Sequence, residues 1–348
     1  MFVEIEATNL CNTHCLHCPR EAITRPHGRM TWEIFEAIAE KILSYPEIES
    51  VDFAGMGEPT LNPLLPRFIE TLSPHAPTYI TTNAATLSPS QIERLLEFGL
   101  HNVIVSLSGH NASLFNLMSG GLELEKIEPQ VRQLIGLGGG KIKVLGNVSV
   151  TPQTEPYIEE IKAYLNNLGI QDIFFSKCHN RGGYLVAPQI CDTPMPVVEN
   201  KRCDIFASTL FVAWTGEVLA CCHDLEGKGR IGDLVTEDLD VILERKQKIV
   251  EDGVRFPMCE NCNDMYRFSQ DSTPDGAPLS EWIYSLYVGE DARTARLIEV
   301  IKQRDSYIHS LEQRNQSLED ENLAYRNGRV MRFLRWIKEI KRSLFSSS

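Results

Sequence analysis

The chain contains no apolar run long enough to cross a bilayer, a task that takes about 20 predominantly apolar residues. It shows no signal-peptide pattern either, because Met1 leads directly into the strand-like segment Phe2-Val3-Glu4-Ile5-Glu6-Ala7-Thr8. Positive charge is not in excess. The formal net charge is −13 over 348 residues, which argues against nucleic acid as a main partner. Ten cysteines without a secretory signal point away from disulfides, towards a reducing, cytoplasmic compartment and metal ligands. Hydrophobic residues make up 43%, enough for a soluble globular core with appendages.

What the chain has is a tight cysteine triplet, Cys11-Asn12-Thr13-His14-Cys15-Leu16-His17-Cys18, in a loop after the first strand. Three thiolates on one loop can hold three irons of a [4Fe–4S] cube and leave the fourth iron open for chemistry. A zinc site completed by His14 or His17 is the competing reading.

Strand-like and helix-like segments alternate. Strands are expected over 2–8, 49–55, 77–83, 102–108, 142–150 and 171–176, and helices over 31–44, 62–73, 88–98, 124–136 and 154–168. Ser88-Pro89 reads as an N-cap followed by Pro at the first helical position. Six βα units imply an α/β fold with a parallel sheet and one active mouth at the strand ends. Further on, 209–214 and 217–220 read as a β-hairpin turning at Thr215-Gly216.

The triplet resembles the CxxxCxφC signature of the radical S-adenosylmethionine (SAM) enzymes, with His17 at φ. Other segments fit in the same order. Gly55-Met56-Gly57-Glu58 resembles the family's GGE segment, Thr81-Thr82-Asn83-Ala84 its TTNG, and Ser106-Leu107-Ser108-Gly109 its SLDG, with Ala84 and Ser108 departing from consensus. The resemblance implies a partial (β/α)6 TIM-like barrel. It implies a [4Fe–4S] cluster on Cys11, Cys15 and Cys18, and SAM contacts from His17, Gly55, Gly57, Glu58, Thr82, Asn83 and Ser106. Glu58 is expected to face the SAM ammonium.

Cys203, Gly216, Cys221 and the pair Cys259–Cys262 resemble the SPASM/twitch extension of that family. No cysteine follows Cys262, which matches the shorter twitch form with one auxiliary [4Fe–4S] cluster on Cys203, Cys221, Cys259 and Cys262. A structural zinc site on the same four cysteines is the alternative. Cys222 is the neighbour to be told apart from Cys221, and Cys178 and Cys191 read as buried thiols. The implied organisation is a barrel over 1–185, an auxiliary-cluster domain (hairpin plus helix) over 186–288 and a helical tail over 289–348.

The resemblance implies two clusters, SAM and a reductant such as flavodoxin or ferredoxin. The short auxiliary set resembles the 2-deoxy-scyllo-inosamine dehydrogenases, which implies oxidation of an alcohol on a sugar or cyclitol. His179 and Arg181, at the end of the sixth strand, are the candidate substrate-facing residues, one as a proton acceptor and one as a planar donor. An epimerase would need a hydrogen donor such as Cys178, Cys191 or Cys222. A peptide maturase and a non-enzymatic iron–sulfur scaffold are further readings. In the tail, 293–325 has near-heptad spacing. The basic, amphipathic 326–348 would suit either an inner membrane surface or the protein's own acidic body.

Overall fold

Burial alternates with a period of two along most of the first six strands, and that pattern decides what each face of the sheet meets. In the computed structural model, which describes residues 1–191 and 203–264, these strands are β1 (Phe2–Ile5), β2 (Ser50–Phe53), β3 (Thr78–Thr82), β4 (Asn102–Ser106), β5 (Lys143–Val150) and β6 (Asp172–Lys177). They pair in parallel and in sequential order. Helices α1 (Trp32–Leu43), α2 (Leu65–Leu72), α3 (Pro89–Glu97), α4 (Ala112–Ser119), α5 (Leu124–Gly138) and α6 (Ile158–Leu168) lie in the connections. Right-handed crossovers between strands in sequential order put the helices on one face of the sheet.

The core forms under those helices. Val3, Ile5, Val51, Phe53, Ile80, Val103, Val105, Val148 and Phe175 are buried. Phe35 of α1 stacks on Phe68 of α2 with ring centroids 4.0 Å apart, and Phe53 lies 6.2 Å from Phe68. The opposite face carries the alternate residues Glu4, Asp52, Thr81, Ser106, Asn147 and Ser176. The sheet is an open partial barrel with a polar inner face.

Helix limits follow local chemistry. Ser88 and Gln91 form a capping box at α3. The helix expected from residue 62 begins at Leu65 because Asn62 is spent elsewhere: its Nδ2 donates to Ala7 O at 2.9 Å and Met30 O at 3.0 Å. The helix expected from 154 opens with a 3-10 turn, Glu155–Tyr157. α4 was not expected. It is only eight residues long, capped by Asn111 at its start and by Gly120 in the left-handed region at its end.

The expected hairpin forms from β7 (Thr209–Val212) and β8 (Glu217–Leu219), and with β9 (Arg230–Asp233) it extends the barrel sheet. β7 pairs in parallel with β1, and β8 and β9 add antiparallel, so nine strands run in the order β6-β5-β4-β3-β2-β1-β7-β8-β9. The open edge of β1 offered unpaired backbone groups, and the hairpin satisfies them. α7 (Asp204–Ser208) precedes β7, and α8 (Leu239–Asp252) packs near it.

All described residues belong to one compact unit, Met1–Tyr287. The coiled-coil pattern at 293–325 and the basic segment 326–348 lie outside the described residues. Among the described residues, no helix is long and apolar enough to cross a membrane.

Candidate functional site

The cysteine loop is held by close backbone packing from two sides. From the α4 side, Leu16 N donates to Met118 O at 3.0 Å, and a Cβ on Gly120 would lie 2.0 Å from His14 O. From the β2 side, Glu58 N donates to Leu10 O at 2.8 Å, and a Cβ on Gly57 would lie 2.0 Å from Thr8 O. Only glycine fits at either position. Within the loop, Thr13 Oγ1 sits 3.3 Å from Cys11 Sγ and 3.4 Å from Cys15 Sγ. Burial pushes the Cys15 thiol up to about 11 and raises Cys18 too, so iron must displace protons to bind here.

His14 is exposed and pairs with Glu21 at 2.8 Å, away from the sulfurs. His17 Nε2 bonds Ser149 Oγ at 2.9 Å, while its buried Nδ1 has no protein partner. Burial first, and then the Arg181 cation, lowers its pKa to about 3. It is a neutral, flat ring at neutral pH.

Gly55, with φ +117°, stands over Glu6, whose carboxylate holds Arg25 in a buried bidentate pair at 2.5 and 2.6 Å and accepts from Met56 N at 3.2 Å. Glu58 is 2% exposed and accepts from Thr60 N, Thr60 Oγ1, Thr82 Oγ1 and Asn83 N. Those four donors tie the β2 and β3 loops together, so the carboxylate is a fastener rather than a bare group at the mouth. Asn83 Nδ2 donates to Asn12 Oδ1 at 2.8 Å, bringing that loop to the cysteines. Ala84 takes φ +62°, the left-handed conformation for which the TTNG glycine is suited. Ser106 ends β4 on the polar face, and Ser108 Oγ accepts from Ser149 N at 2.9 Å.

On that face Glu4 and Asp52 stand side by side in register. Burial, then Asp52 and Glu6, pushes Glu4 up to about 8, opposed by a hydrogen bond from Cys222 and by Arg181. Burial raises Asp52 to about 6, opposed by Thr81 Oγ1 at 3.2 Å. Sequence reasoning missed both. Their signal was a charged residue at an alternate position of an otherwise apolar strand, as in Val3-Glu4-Ile5 and Val51-Asp52-Phe53.

Arg181 adopts φ +52° in the turn after β6, followed by Gly182 and Gly183 at +73° and +91°. Its guanidinium acts electrostatically on Glu4, His17, Cys18 and Cys222, so it lies among groups from both cysteine regions. Arg181 Nη1 donates to His223 Nε2 at 3.3 Å, and Arg181 N donates to His179 Nδ1 at 3.3 Å. The opposite nitrogens face Asp264 Oδ2, at 3.4 Å from His179 Nε2 and 3.9 Å from His223 Nδ1.

Among the described residues, these three are the one set of at least three His, Cys, Asp or Glu donors gathered within 4.8 Å. The donor directions oppose a metal ion there. Both imidazoles accept from groups that can only donate, so the nitrogen facing Asp264 carries the proton in each neutral ring. The set surrounds Arg181, which donates to both imidazoles. Burial, then Arg181 and His223, holds His179 well below the usual histidine range.

The second cysteine set is assembled from distant segments. Cys203 caps α7, its Sγ accepting from Phe206 N at 3.5 Å. Cys221 follows β8 and feels the sulfurs of Cys203 and Cys262, whereas Cys222 turns to Glu4, Arg181 and Asp264. Cys259 and Cys262 share a tight turn. Asn180 clasps this turn to the β6 loop through Asn261 O at 2.5 Å and Asn263 Oδ1 at 2.6 Å. Neither cysteine set draws three sulfurs within 4.8 Å of one another. Cys178 and Cys191 are buried, Cys191 Sγ donating to Cys178 O.

Residues 5–165 match the family model of the radical SAM superfamily, and residues 203–263 match that of SPASM, an iron–sulfur cluster-binding domain. The first domain type carries a [4Fe–4S] cluster with SAM, the second further iron–sulfur ligation. A tungsten-containing aldehyde ferredoxin oxidoreductase cofactor-modifying protein from Pyrococcus furiosus is 26% identical over 180 residues, 50% of this chain and 51% of that protein. A probable GTP 3',8-cyclase from Archaeoglobus fulgidus is 26% identical over 208 residues, 58% of this chain and 64% of its own length. The chain thus spans about half to two-thirds of these relatives. Among solved structures, BtrN in complex with AdoMet and 2-DOIA superposes with a TM-score of 0.54 at 22% identity, covering 75% of this chain and 92% of BtrN. Native anSMEcpe with bound AdoMet gives 0.60 at 16% identity, covering 87% and 99%. SuiB of Streptococcus suis bound to precursor peptide SuiA gives 0.59 at 14%, covering 80% and 74%. These likenesses establish the fold.

Proposed function

This chain is a radical SAM protein with a SPASM-type iron–sulfur domain, and from that premise we propose that it oxidises an alcohol carbon of a small polyhydroxylated substrate. A sugar or cyclitol held on the polar inner face is the substrate class this reading favours. The observation that carries it is Arg181, which acts electrostatically on Cys18 of one cysteine set and on Cys222, next to Cys221 of the other. One substrate pocket between the two sets accounts for that placement.

Cys11, Cys15 and Cys18 hold the open-iron cluster in this reading, and Cys203, Cys221, Cys259 and Cys262 hold a fully ligated one. When bound, the first cluster with SAM supplies hydrogen-atom abstraction through a 5′-deoxyadenosyl radical, and the second supplies an electron acceptor. The protein groups do the rest. Gly55 and Gly57 bring backbone close to SAM, with Thr82, Asn83 and Ser106 alongside, and Glu58 fastens the loops that present them. His17 offers SAM a neutral aromatic face. Arg181 donates to a substrate oxygen, and Glu4 takes the alcohol proton once it is ionised.

Epimerisation is the second reading, and one observation favours it: the Cys222 thiol bonds Glu4 on the polar face. BtrN was solved with 2-DOIA and SuiB with a precursor peptide, so the fold itself does not choose between small molecule and peptide. The reductant stays with the resemblance to enzymes served by flavodoxin or ferredoxin.

The test is anaerobic reconstitution, iron and sulfide counting, then incubation with SAM and amino sugars or cyclitols deuterated at each carbinol carbon. About eight irons per chain, deuterium in 5′-deoxyadenosine and one SAM consumed per carbonyl formed are expected. The Cys11/Cys15/Cys18→Ala variant should keep about four irons and lose SAM cleavage. An isomer carrying one solvent deuterium in heavy water, lost in Cys222→Ala, would replace oxidation by epimerisation. No SAM cleavage at all would leave a scaffold.

A further inference from the structure

Beside the second cysteine set lies a buried cation that the chemistry above does not use. Lys246 of α8 is 5% exposed. Its ammonium donates to Ala207 O at 2.6 Å and sits 5.2 Å from the centroid of the Phe206 ring. Among the described residues, no carboxylate pairs with it. One carbonyl and one ring face replace only part of the water that a lysine loses on burial. Burial lowers its pKa to about 8, and the group that opposes this is Cys203. The ammonium is therefore charged at neutral pH in a pocket with little to compensate it.

The missing compensation has an evident source. Cys203 precedes Phe206 in the same short helix, and its sulfur already accepts from Phe206 N. Four thiolates around a [4Fe–4S] core leave a net charge of about −2 when oxidised and about −3 when reduced. A fixed cation nearby favours both states, and the reduced one more. The packing holds the cation there: the Phe206 ring packs tilted against Phe256 with centroids 5.3 Å apart, and the Ala207 carbonyl pins the ammonium to α7.

We propose that Lys246 is the built-in counter-cation of the auxiliary cluster and sets its reduction potential above that of the same four thiolates in a neutral pocket. This rests on the reading that Cys203, Cys221, Cys259 and Cys262 hold an iron–sulfur cluster. A higher potential makes that cluster a better acceptor for the substrate's electron. The competing role is a mere tie between α8 and α7, and two substitutions separate them. Lys246→Gln removes the charge and keeps a donor for Ala207 O, whereas Lys246→Arg keeps the charge.

The experiment is an anaerobic redox titration of the full-length, reconstituted protein followed by electron paramagnetic resonance. The auxiliary signal is identified in the Cys11/Cys15/Cys18→Ala background. Lys246→Gln and Lys246→Met should lower the auxiliary potential and leave that of the SAM-binding cluster in place, with Lys246→Arg near wild type. Loss of auxiliary iron in the two neutral variants but not in Lys246→Arg also supports the proposal. An intact auxiliary cluster with unchanged potential in Lys246→Gln overturns it, as does equal loss of iron in all three variants. Zinc, or no metal, on these cysteines in the wild-type protein overturns the underlying reading instead, and iron counting shows this before any titration.

Discussion

The two cysteine sets reach similar chemistry by opposite routes. Cys11, Cys15 and Cys18 sit on one loop, and their spacing depends on local backbone braced by Gly57 and Gly120. The second set is collected from the start of α7, the end of β8 and a turn after α8. Its geometry exists only once the hairpin has paired with β1 and Asn180 has clasped the Cys259–Cys262 turn. A local site fails when its loop is deformed. An assembled site fails when any of its long-range contacts loosens.

Gly57→Ala should give the largest effect. Its methyl would meet the Thr8 carbonyl, backbone that cannot step aside, at a cost of about 3 kcal/mol or more. Iron should fall at the first site with the second retained, read by iron counts and by the loss of SAM cleavage. Equal loss from both sites would break the comparison.

Asn180→Ala should do the converse with a smaller effect. It removes the side-chain bonds to Asn261 O, Asn263 N and Gly183 N, costing about 1–3 kcal/mol. Auxiliary iron should be lost first on chelation, with SAM cleavage retained. A variant whose two clusters are lost at the same chelator concentration would show that the clasp does not matter to assembly.

The smallest effect probes the face between the sets. Glu4 has a folded pKa near 8, above its ordinary value of 4.5, because its neutral form is favoured by burial. The stability this gives is full below about pH 4.5 and is lost as pH rises through about 8. Glu4→Gln should flatten that slope in denaturant titrations. If Glu4 takes the alcohol proton, the wild-type rate should also rise through about pH 8, and this limb should vanish in the variant. An unchanged rate profile would assign the proton to another group.

Much of this molecule was legible in its residues. Short β-branched and apolar runs bounded by turn residues located all six barrel strands, because each strand buries one face under helices. Cysteine spacing pointed to the first candidate site, since its three cysteines are neighbours in the chain. α4 escaped notice because eight residues between glycines carry too little periodicity to register. Tertiary structure alone decided the rest. It joined the hairpin to β1, because an unpaired strand edge takes whatever strand reaches it. It turned Cys221 towards Cys203 and Cys262, and Cys222 towards Glu4, a choice that two adjacent, identical residues do not encode. It spent the Glu58 carboxylate on four donors and buried His179 beside Arg181 and Asp264. Sequence patterns record which residues tend to be buried and which lie close along the chain. They do not record the donors, charges and dry surroundings that segments far apart bring to one another, and those set what each polar group can do.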